Sequence, residues 1–235
     1  MSAIVLLSGG MDSVIAFYHT LNRVVEGTLT GPVHAISYAY GQRHEREVNA
    51  AHKIWQHARE SEQYRRAPAV GDFRTIAISP GFLMPATGSL MGQAPVRKYG
   101  ESPTRHEAEK DPAFIPHRNL LFLSIAATWV RHYSASEIVT GLRGGYPDCS
   151  IAFEQAVNLT LSESDPAHRV IVSSPVHDSR AECVTLAAGI PGCLEALGMS
   201  ITCFEGKTPP CGKCLPCIRR AEGFREAGLR DPIYS

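Results

Sequence analysis

An apolar run gives way to a glycine turn at Leu6-Leu7-Ser8-Gly9-Gly10-Met11-Asp12-Ser13. Residues 4–7 predict a buried strand, and residues 14–21 predict a helix that begins just after the turn. Gly9 and Gly10 let backbone N–H groups approach a ligand closely, because no Cβ stands in the way. The unpaired N–H groups and the positive end of the helix dipole therefore point at one spot, which suits a phosphate.

The turn lacks the lysine signature of a Walker P-loop and the three-glycine fingerprint of a dinucleotide site. It resembles instead the S-G-G-x-D-S pyrophosphate loop of the N-type ATP pyrophosphatases. The resemblance implies that ATP is a substrate and that its phosphates are held by Ser8, Gly9, Gly10, Met11, Asp12 and Ser13. Ser8, Asp12 and Ser13 would be catalytic, and Asp12 would orient the loop or a magnesium ion. An ordinary strand-to-helix turn is the alternative interpretation, since Ser, Gly and Asp are common turn residues.

The composition limits the classes of protein to consider. The chain has 235 residues, with 23 basic and 23 acidic side chains, and this length suits one α/β domain with a small appendage. The balanced charge argues against nucleic acid as a partner, and no apolar run reaches membrane-spanning length or resembles a signal peptide. Seven cysteines, an odd number, indicate reduced thiols rather than a disulfide framework. We therefore expect a cytoplasmic protein.

Strand-like and helix-like segments alternate along the chain. Apolar, β-branched runs predict further strands over residues 32–40, 73–78, 137–141 and 170–175. The segments between them predict helices over residues 46–59, 120–127, 150–161 and 179–189. This alternation indicates a parallel five-stranded sheet flanked by helices, with ligands at the carboxyl ends of the strands. Residues 79–112 show no periodicity and predict a long loop, either a lid or a disordered connection.

Two further segments fall at the same edge of the predicted sheet. Residues 40–44 follow the second strand, and Arg118 with Asn119 precede an apolar helix that we expect to be buried on most of its surface. A charged group at the mouth of a buried helix needs a partner, and an anionic ligand is one candidate for Arg118. Asn119 is open to two interpretations, a ligand contact or a helix N-cap.

Four cysteines near the end of the chain have the spacing C-x7-C-x2-C-x2-C, and they are Cys203, Cys211, Cys214 and Cys217. Two-residue gaps let neighbouring thiolates converge on one ion. Four thiolates without a histidine favour a closed, tetrahedral and structural zinc site. An iron–sulfur cluster is the alternative, because sets of four cysteines hold those clusters as well.

Five ordered segments of the chain together resemble the 7-cyano-7-deazaguanine synthases of queuosine biosynthesis. They are residues 7–13, 40–44, 116–126, 145–149 and 203–217. The resemblance implies an adenine nucleotide alpha hydrolase-like, Rossmann-like fold. An ATP pyrophosphatase domain would cover residues 1–200, and a zinc knuckle with a helix would cover residues 201–235 and pack on it as a single structural unit. The resemblance also implies a homodimer.

The resemblance implies a ligase reaction with a small-molecule substrate. In that family ATP adenylates the carboxylate of 7-carboxy-7-deazaguanine, and ammonia then displaces AMP to give the amide. A second ATP activates the amide so that loss of water leaves the nitrile, and AMP and pyrophosphate are released. The implied cofactors are ATP, Mg2+ and a structural Zn2+.

The same resemblance implies roles for residues at the ligand edge. Arg118 and Arg180 would be catalytic and contact phosphate or carboxylate, while Asn119 and Asp148 would contact the polar edge of the deazaguanine. The full set of implied substrate contacts is Tyr40, Gln42, Arg43, His44, Arg118, Asn119 and Asp148.

The chain departs from the family pattern at this edge. Residues 142–145 form a short, basic passage, Ser150 stands where arginine is usual, and Arg180 stands where lysine is usual. Arginine cannot lose its proton to act as a base. These changes keep open a related reaction that joins the adenylated deazaguanine to another amine, such as one on a partner protein.

Two other functions stand as alternatives. A zinc-knuckle module that binds RNA would use Arg219 and Arg220 beside the cysteines, but the neutral net charge and the lack of interleaved aromatic residues argue against it. A tRNA-thiolating enzyme would need reactive cysteines, and Cys149 is the one cysteine expected at the ligand edge.

Overall fold

The computed structural model describes residues 1–42, 46–79, 113–176 and 179–234. Within these ranges the strands are β1 (Ser2–Leu6), β2 (Val33–Ala39), β3 (Val70–Ala77), β4 (Ala135–Val139) and β5 (Ile171–Ser173). They form one sheet in the order β3-β2-β1-β4-β5, and every pairing is parallel. The predicted five-stranded parallel sheet is therefore confirmed. Arg43, His44 and nearly all of the predicted long loop lie outside the described residues.

In the described ranges the α-helices are α1 (Met11–Val25), α2 (Arg46–Glu60), α3 (Glu62–Arg66), α4 (Arg118–Thr128), α5 (Val130–Tyr133), α6 (Ile151–Ser164), α7 (Arg180–Ala188), α8 (Cys193–Met199) and α9 (Leu215–Glu226). None of them is both long and apolar enough to cross a membrane. The sequence patterns located α1, α2, α4, α6 and α7, and the family resemblance implied α9, but α3, α5 and α8 were missed. These helices have 5, 4 and 7 residues, and two turns or fewer do not display a period.

Strand β1 lies in the middle of the sheet because its side chains are apolar on both faces. Ala3 and Val5 pack into a core formed with α1, α2, α7 and α8, whereas Ile4 packs into a second core formed with α4, α5 and α6. Val5 is paired with Ala35 of β2 on one side and with Val139 of β4 on the other. A strand covered on both faces has no polar alternation, so the molecule is a three-layer sandwich of helices around the sheet.

The turn after β1 brings the start of α1 to the carboxyl edge of the sheet. Gly10 has extended backbone angles, and the helix begins at Met11. Gly9 has a φ of 90°, and a Cβ added there would lie 2.2 Å from the carbonyl oxygen of Glu47. Only glycine fits such a close approach, so the turn and α2 are held in direct backbone contact.

Helix α4 differs from the sequence expectation. Its buried residues are Asn119, Leu123 and Ala126, while Leu120 is 38% exposed. The prediction that this apolar helix is buried on most of its surface is wrong, because α4 lies in an outer layer and turns only one side toward the sheet.

A buried arginine fastens the C-terminal segment to the rest of the chain. The Arg220 side chain is 3% exposed, and it donates to both carboxylate oxygens of Asp231, at 2.8 and 2.7 Å, and to the carbonyl oxygen of Leu197 at 2.8 Å. A buried charge needs a partner and hydrogen bonds, and Arg220 has both. Just after α8, the N–H of Ile201 donates to the carbonyl oxygen of Gly9 at 2.9 Å, so this segment also reaches the turn that follows β1.

The contact at Gly9 predicts a specific cost of substitution. Gly9→Ala adds a methyl group that overlaps the backbone of α2, whereas Gly27→Ala adds one at a similar φ of 76° with nothing within 4 Å. We expect the Gly9→Ala protein to lose at least about 2 kcal/mol more unfolding free energy in urea than the Gly27→Ala protein. Equal losses would mean that backbone strain alone acts at Gly9.

Candidate active site

Hydrogen bonds within the loop hold the two serine hydroxyls that follow β1. The hydroxyl oxygens of Ser8 and Ser13 are 3.0 Å apart, and Ser13 Oγ donates to the carbonyl oxygen of Gly10 at 2.9 Å. The N–H of Gly10 donates to Ser8 Oγ at 3.2 Å. No side chain of the described residues caps the start of α1, so the N–H groups of its first turn are open to an anion.

Asp12 lies between two arginines from distant parts of the chain. Its Oδ1 atom accepts a hydrogen bond from Nη1 of Arg180, the first residue of α7, and its Oδ2 atom is 3.6 Å from Nε of Arg143. Burial lowers the pKa of Arg143, and the neighbouring charge of Arg180 lowers it further. Two guanidinium groups therefore lie beside one carboxylate next to the loop.

The position of Arg180 depends on the C-terminal helix. Gly223 of α9 lies so close to α7 that an added Cβ would be 2.7 Å from the Cβ of Arg180. The absence of a side chain at Gly223 thus lets α9 press directly on the start of α7. The arginine that binds Asp12 is held in place by the segment that also carries the cysteine cluster.

A cavity of about 340 Å³ opens beside the loop at the carboxyl edge of the sheet. Its polar wall includes Ser8, Gly10, Asp12, Ser13, Ser37, Gln42, Glu47, Arg118, Asn119, Thr140, Arg180 and Thr202. Apolar and aromatic residues complete the wall, among them Leu6, Ile36, Tyr38, Tyr40, Phe122 and Leu123. Gly9 is not part of the wall, because it faces α2 instead.

Three buried polar atoms in this wall have no hydrogen-bond partner among the described residues. They are the hydroxyl oxygen of Ser37 and the Nε atoms of Arg118 and Arg180. A buried polar group without a partner costs stability. The wall is therefore suited to a ligand with several hydrogen-bonding groups, and the two arginines favour an anionic one.

Asn119, Asp148 and Cys149 form a cluster next to Arg118. The Nδ2 atom of Asn119 donates to the backbone carbonyl oxygen of Asp148 at 3.3 Å and approaches the Sγ atom of Cys149 at 3.5 Å. Asn119 lies inside α4, whose N-cap residue is His117, so the N-cap interpretation of Asn119 is wrong. Asp148 is buried but is not part of the cavity wall, and its main-chain oxygen orients Asn119.

Burial shifts the titration of this cluster toward neutral forms. It raises the pKa of Asp148, although the charge of Arg118 opposes the shift. It raises the pKa of Cys149 to about 12, and the Asp148 carboxylate adds to that effect. A thiol this hard to ionise is a poor nucleophile, which argues against a thiolating enzyme that relies on Cys149.

The side chain of Gln42 forms hydrogen bonds with the backbone at the end of β2 and in the loop that follows it. Its Oε1 atom accepts a hydrogen bond from the N–H of Tyr40 at 2.9 Å, and its Nε2 atom donates to the carbonyl oxygen of Tyr38 at 3.1 Å. Both polar ends of the side chain are therefore engaged. The phenol of Tyr40 lies 3.5 Å from Nη1 of Arg118, so this loop reaches the arginine across the cavity.

Sequence reasoning missed several residues of the wall. Ser37 lies within a strand whose pattern indicates only burial, and Glu47 lies in the first turn of a polar helix. Arg143, which lies beside the loop, belongs to the short basic passage of residues 142–145, but nothing in the local sequence predicts its contact with Asp12. Thr202 comes from the C-terminal segment and reaches the cavity only because that segment folds back onto the turn after β1.

The four clustered cysteines converge as their spacing predicted. The sulfur atoms of Cys203, Cys211, Cys214 and Cys217 all lie within 4.8 Å of one another. A tetrahedral zinc site with Zn–S bonds of about 2.3 Å requires sulfur separations of about 3.8 Å, and the pairs Cys211–Cys217 and Cys214–Cys217 are 4.0 and 3.3 Å apart. The N–H groups of Lys213 and Cys214 point to the Cys211 sulfur, which stabilises a thiolate. The residues fit a structural zinc ion.

Comparisons with known proteins agree with this geometry. The family model described as "Queuosine biosynthesis protein QueC" matches residues 2–228. A 7-cyano-7-deazaguanine synthase of Laribacter hongkongensis is 36% identical, over 99% of this chain and 94% of the relative. One from Chromobacterium violaceum is 34% identical over 98% and 92%, and one from Archaeoglobus fulgidus is 30% identical over 100% and 90%.

The cysteine cluster predicts the metal content of the purified protein. We expect inductively coupled plasma mass spectrometry to find one zinc ion per chain. The Cys214→Ser protein is expected to lose most of its zinc, because three thiolates cannot close the site. Cys183→Ala, which removes another buried thiol outside the cluster, is expected to keep the zinc. Iron and sulfide in place of zinc would favour the iron–sulfur alternative.

Proposed function

The chain belongs to the QueC family of queuosine biosynthesis proteins, and on that basis we propose that it converts 7-carboxy-7-deazaguanine, ATP and ammonia into 7-cyano-7-deazaguanine. One observation carries the proposal. A single cavity joins an uncapped helix start, which suits phosphate, to an arginine and an asparagine that suit a carboxylate-bearing base, and three buried polar atoms in its wall have no partner among the described residues. ATP and the deazaguanine would supply those partners.

The phosphates of ATP are proposed to bind at the turn after β1. The first N–H groups of α1 and the hydroxyls of Ser8 and Ser13 would contact the pyrophosphate portion. Arg180 and Arg143 lie beside this turn, because both contact the carboxylate of Asp12. The positive charge of these arginines would stabilise the negative charge that builds on pyrophosphate as it leaves.

The deazaguanine is proposed to bind on the side of Arg118 and Asn119. The Nε atom of Arg118 is buried without a partner in the described part of the chain, and a guanidinium group pairs well with a carboxylate. Asn119 would read the polar edge of the base, and Asp148 would orient Asn119 through its main-chain oxygen. Direct contacts from Asp148, Arg43 and His44 remain part of the prediction from family resemblance.

These residues would promote the reaction by positioning the substrates and by stabilising the charge that develops on them. A carboxylate is a poor electrophile, and joining its oxygen to the α-phosphate of ATP makes AMP a good leaving group. Arg118 would aim the carboxylate at that phosphorus atom, and the loop amides would hold the leaving pyrophosphate. No step requires a protein nucleophile, which accords with the raised pKa of Cys149.

Magnesium is proposed to enter with ATP. Both oxygens of Asp12 face arginines, so Asp12 suits holding those arginines rather than the ion. Glu47 is the other carboxylate that the described residues contribute to the cavity wall, and carboxylate oxygen suits Mg2+. When bound, the ion would neutralise charge on the phosphates.

We also propose that the enzyme works as a cytoplasmic homodimer. Helix α6 has an uncharged exposed stripe over two of its turns, which includes Ala152 and Ala156, with Ile151 77% and Leu159 65% exposed. The neighbouring edge strand β5 adds Ile171, which is 62% exposed. Large exposed apolar side chains on adjacent elements are typical of a protein interface, and we propose that a second copy of the chain covers them. The seven free cysteines accord with a reducing compartment.

The product of the reaction tests the proposed function. Purified protein with ATP, Mg2+, 7-carboxy-7-deazaguanine and ammonium is expected to yield the nitrile by mass spectrometry, with two AMP and two pyrophosphate formed for each product. An amide that accumulates without nitrile would show that the second activation fails in this chain. No AMP at all would overturn the proposal.

The exposed stripe of α6 predicts the oligomeric state. Leu159→Glu places a charge in the proposed interface, and we expect light scattering to show a dimer for the native protein and a monomer for this variant. Val25→Glu, which alters another exposed apolar residue at the end of α1 (39% exposed), is the matched control and is expected to remain dimeric. A dimeric Leu159→Glu protein would place the interface elsewhere.

A further inference from the structure

A second cavity, of about 290 Å³, lies on the other side of the residues that follow β4. It shares Leu123, Thr140 and Leu142 with the first cavity. The remainder of its wall comes from the residues between β4 and α6, the start of α6 and the residues around β5, and includes Arg143, Cys149, Glu154, Val172, Ser174 and Val176. A thin layer of side chains therefore separates this space from the candidate active site.

Most polar groups in the wall of the second cavity already have partners. The hydroxyl of Ser174 donates to the carbonyl oxygen of Leu142 at 2.7 Å, and the hydroxyl of Thr140 accepts from the N–H of Leu142 at 3.3 Å. Ser150 caps α6 through the N–H of Phe153. These groups hold the wall together and are not directed to a ligand.

Glu154 is the exception. Its carboxylate has neither a hydrogen bond nor an ion pair with any described residue, and burial raises its pKa above the ordinary value. Arg143, a cation in the same wall, lies 3.6 Å from Asp12, and no cation of the described residues pairs with the negative charge of Glu154. A partly desolvated carboxylate in this condition attracts a small cation that can donate hydrogen bonds.

We propose that this cavity binds the ammonium ion that supplies nitrogen to the reaction, with Glu154 as the ion's carboxylate partner. The inference rests on the proposed function, because only that reaction calls for ammonia. The volume suits a small ion with its water molecules, and the shared wall at Leu142 leads toward the cavity where the activated carboxylate would form.

One N–H bond of the ammonium ion breaks, and its proton goes to the Glu154 carboxylate. The freed ammonia crosses the shared wall at Leu142 into the first cavity. There its lone pair forms a C–N bond with the carbonyl carbon of the acyl adenylate, and the C–O bond to AMP breaks with its electron pair on AMP. The new amide nitrogen then loses one further proton to water. No oxidant or reductant is required.

Steady-state kinetics of Glu154→Gln test the proposal. This change keeps the shape of the side chain and removes its charge, so the KM for ammonium is expected to rise at least about ten-fold, while the KM values for ATP and 7-carboxy-7-deazaguanine change less than two-fold. Glu154→Asp, which keeps the charge on a shorter side chain, is expected to recover part of the ammonium affinity. Glu163→Gln makes the same substitution at an exposed position of the same helix and is the matched control.

Hydroxylamine separates binding of ammonium from damage to the site. It is largely uncharged at neutral pH, and it traps an acyl adenylate as the hydroxamate without first losing a proton. The Glu154→Gln protein is expected to keep far more of its hydroxamate rate than of its rate with ammonium. An equal loss with both amines, or an unchanged KM for ammonium, would overturn the inference.

Exchange of labelled pyrophosphate into ATP distinguishes a failure of the proposed function from a failure of the ammonium-site assignment. If the native protein shows no exchange that depends on 7-carboxy-7-deazaguanine, the proposed function itself fails. If exchange and nitrile formation occur in the native protein and Glu154→Gln leaves the ammonium KM unchanged, only the assignment of the second cavity fails.

Discussion

Asp12 and its two arginines hold together parts of the molecule that are far apart in the chain. Asp12 lies in the first turn of α1, Arg143 follows β4, and Arg180 begins α7. Each guanidinium is buried enough to need a counter-charge, and Asp12 lies against both of them. The Nε atom of Arg180 still has no hydrogen-bond partner among the described residues. A bound polyphosphate would place further negative charge beside the two guanidinium groups. The contact that orders the edge of the sheet therefore also prepares this edge to bind an anion.

The cysteine cluster is connected to the carboxyl edge of the sheet by the packing of α9 against α7. Helix α9 begins directly after Cys214 and presses Gly223 against Arg180. The segment before the cluster returns to the turn after β1, where Ile201 bonds to Gly9, and it contributes Thr202 to the cavity wall. Arg220 and Asp231 form the buried pair that keeps α9 in place. A structural metal in this position would stabilise the shape of the ligand cavity as well as the end of the chain.

The prediction from sequence succeeded where the determining interactions are local. The parallel sheet, the glycine turn at Gly9 and Gly10, and the convergence of four cysteines all follow from short-range patterns. It failed at α4, where apolar composition suggested burial on most sides but the outer layer leaves Leu120 exposed. It also left the role of Asn119 undecided, because a residue at a helix start and one inside its first turn look alike until His117 is known to be the N-cap.

The sequence by itself determined the alternation of the five strands with the longer helices, the anion-binding turn and the metal-type spacing of the cysteines, because each is a pattern of residues that lie near one another in the chain. Only the tertiary structure decided that Arg143 and Arg180 share Asp12, that Ser37 has a buried and unpartnered hydroxyl in the cavity wall, and that Glu154 lacks a protein cation among the described residues. These features arise where strands distant in the chain end side by side. Local patterns carry no information about which side chains meet there or about which of them are left without partners.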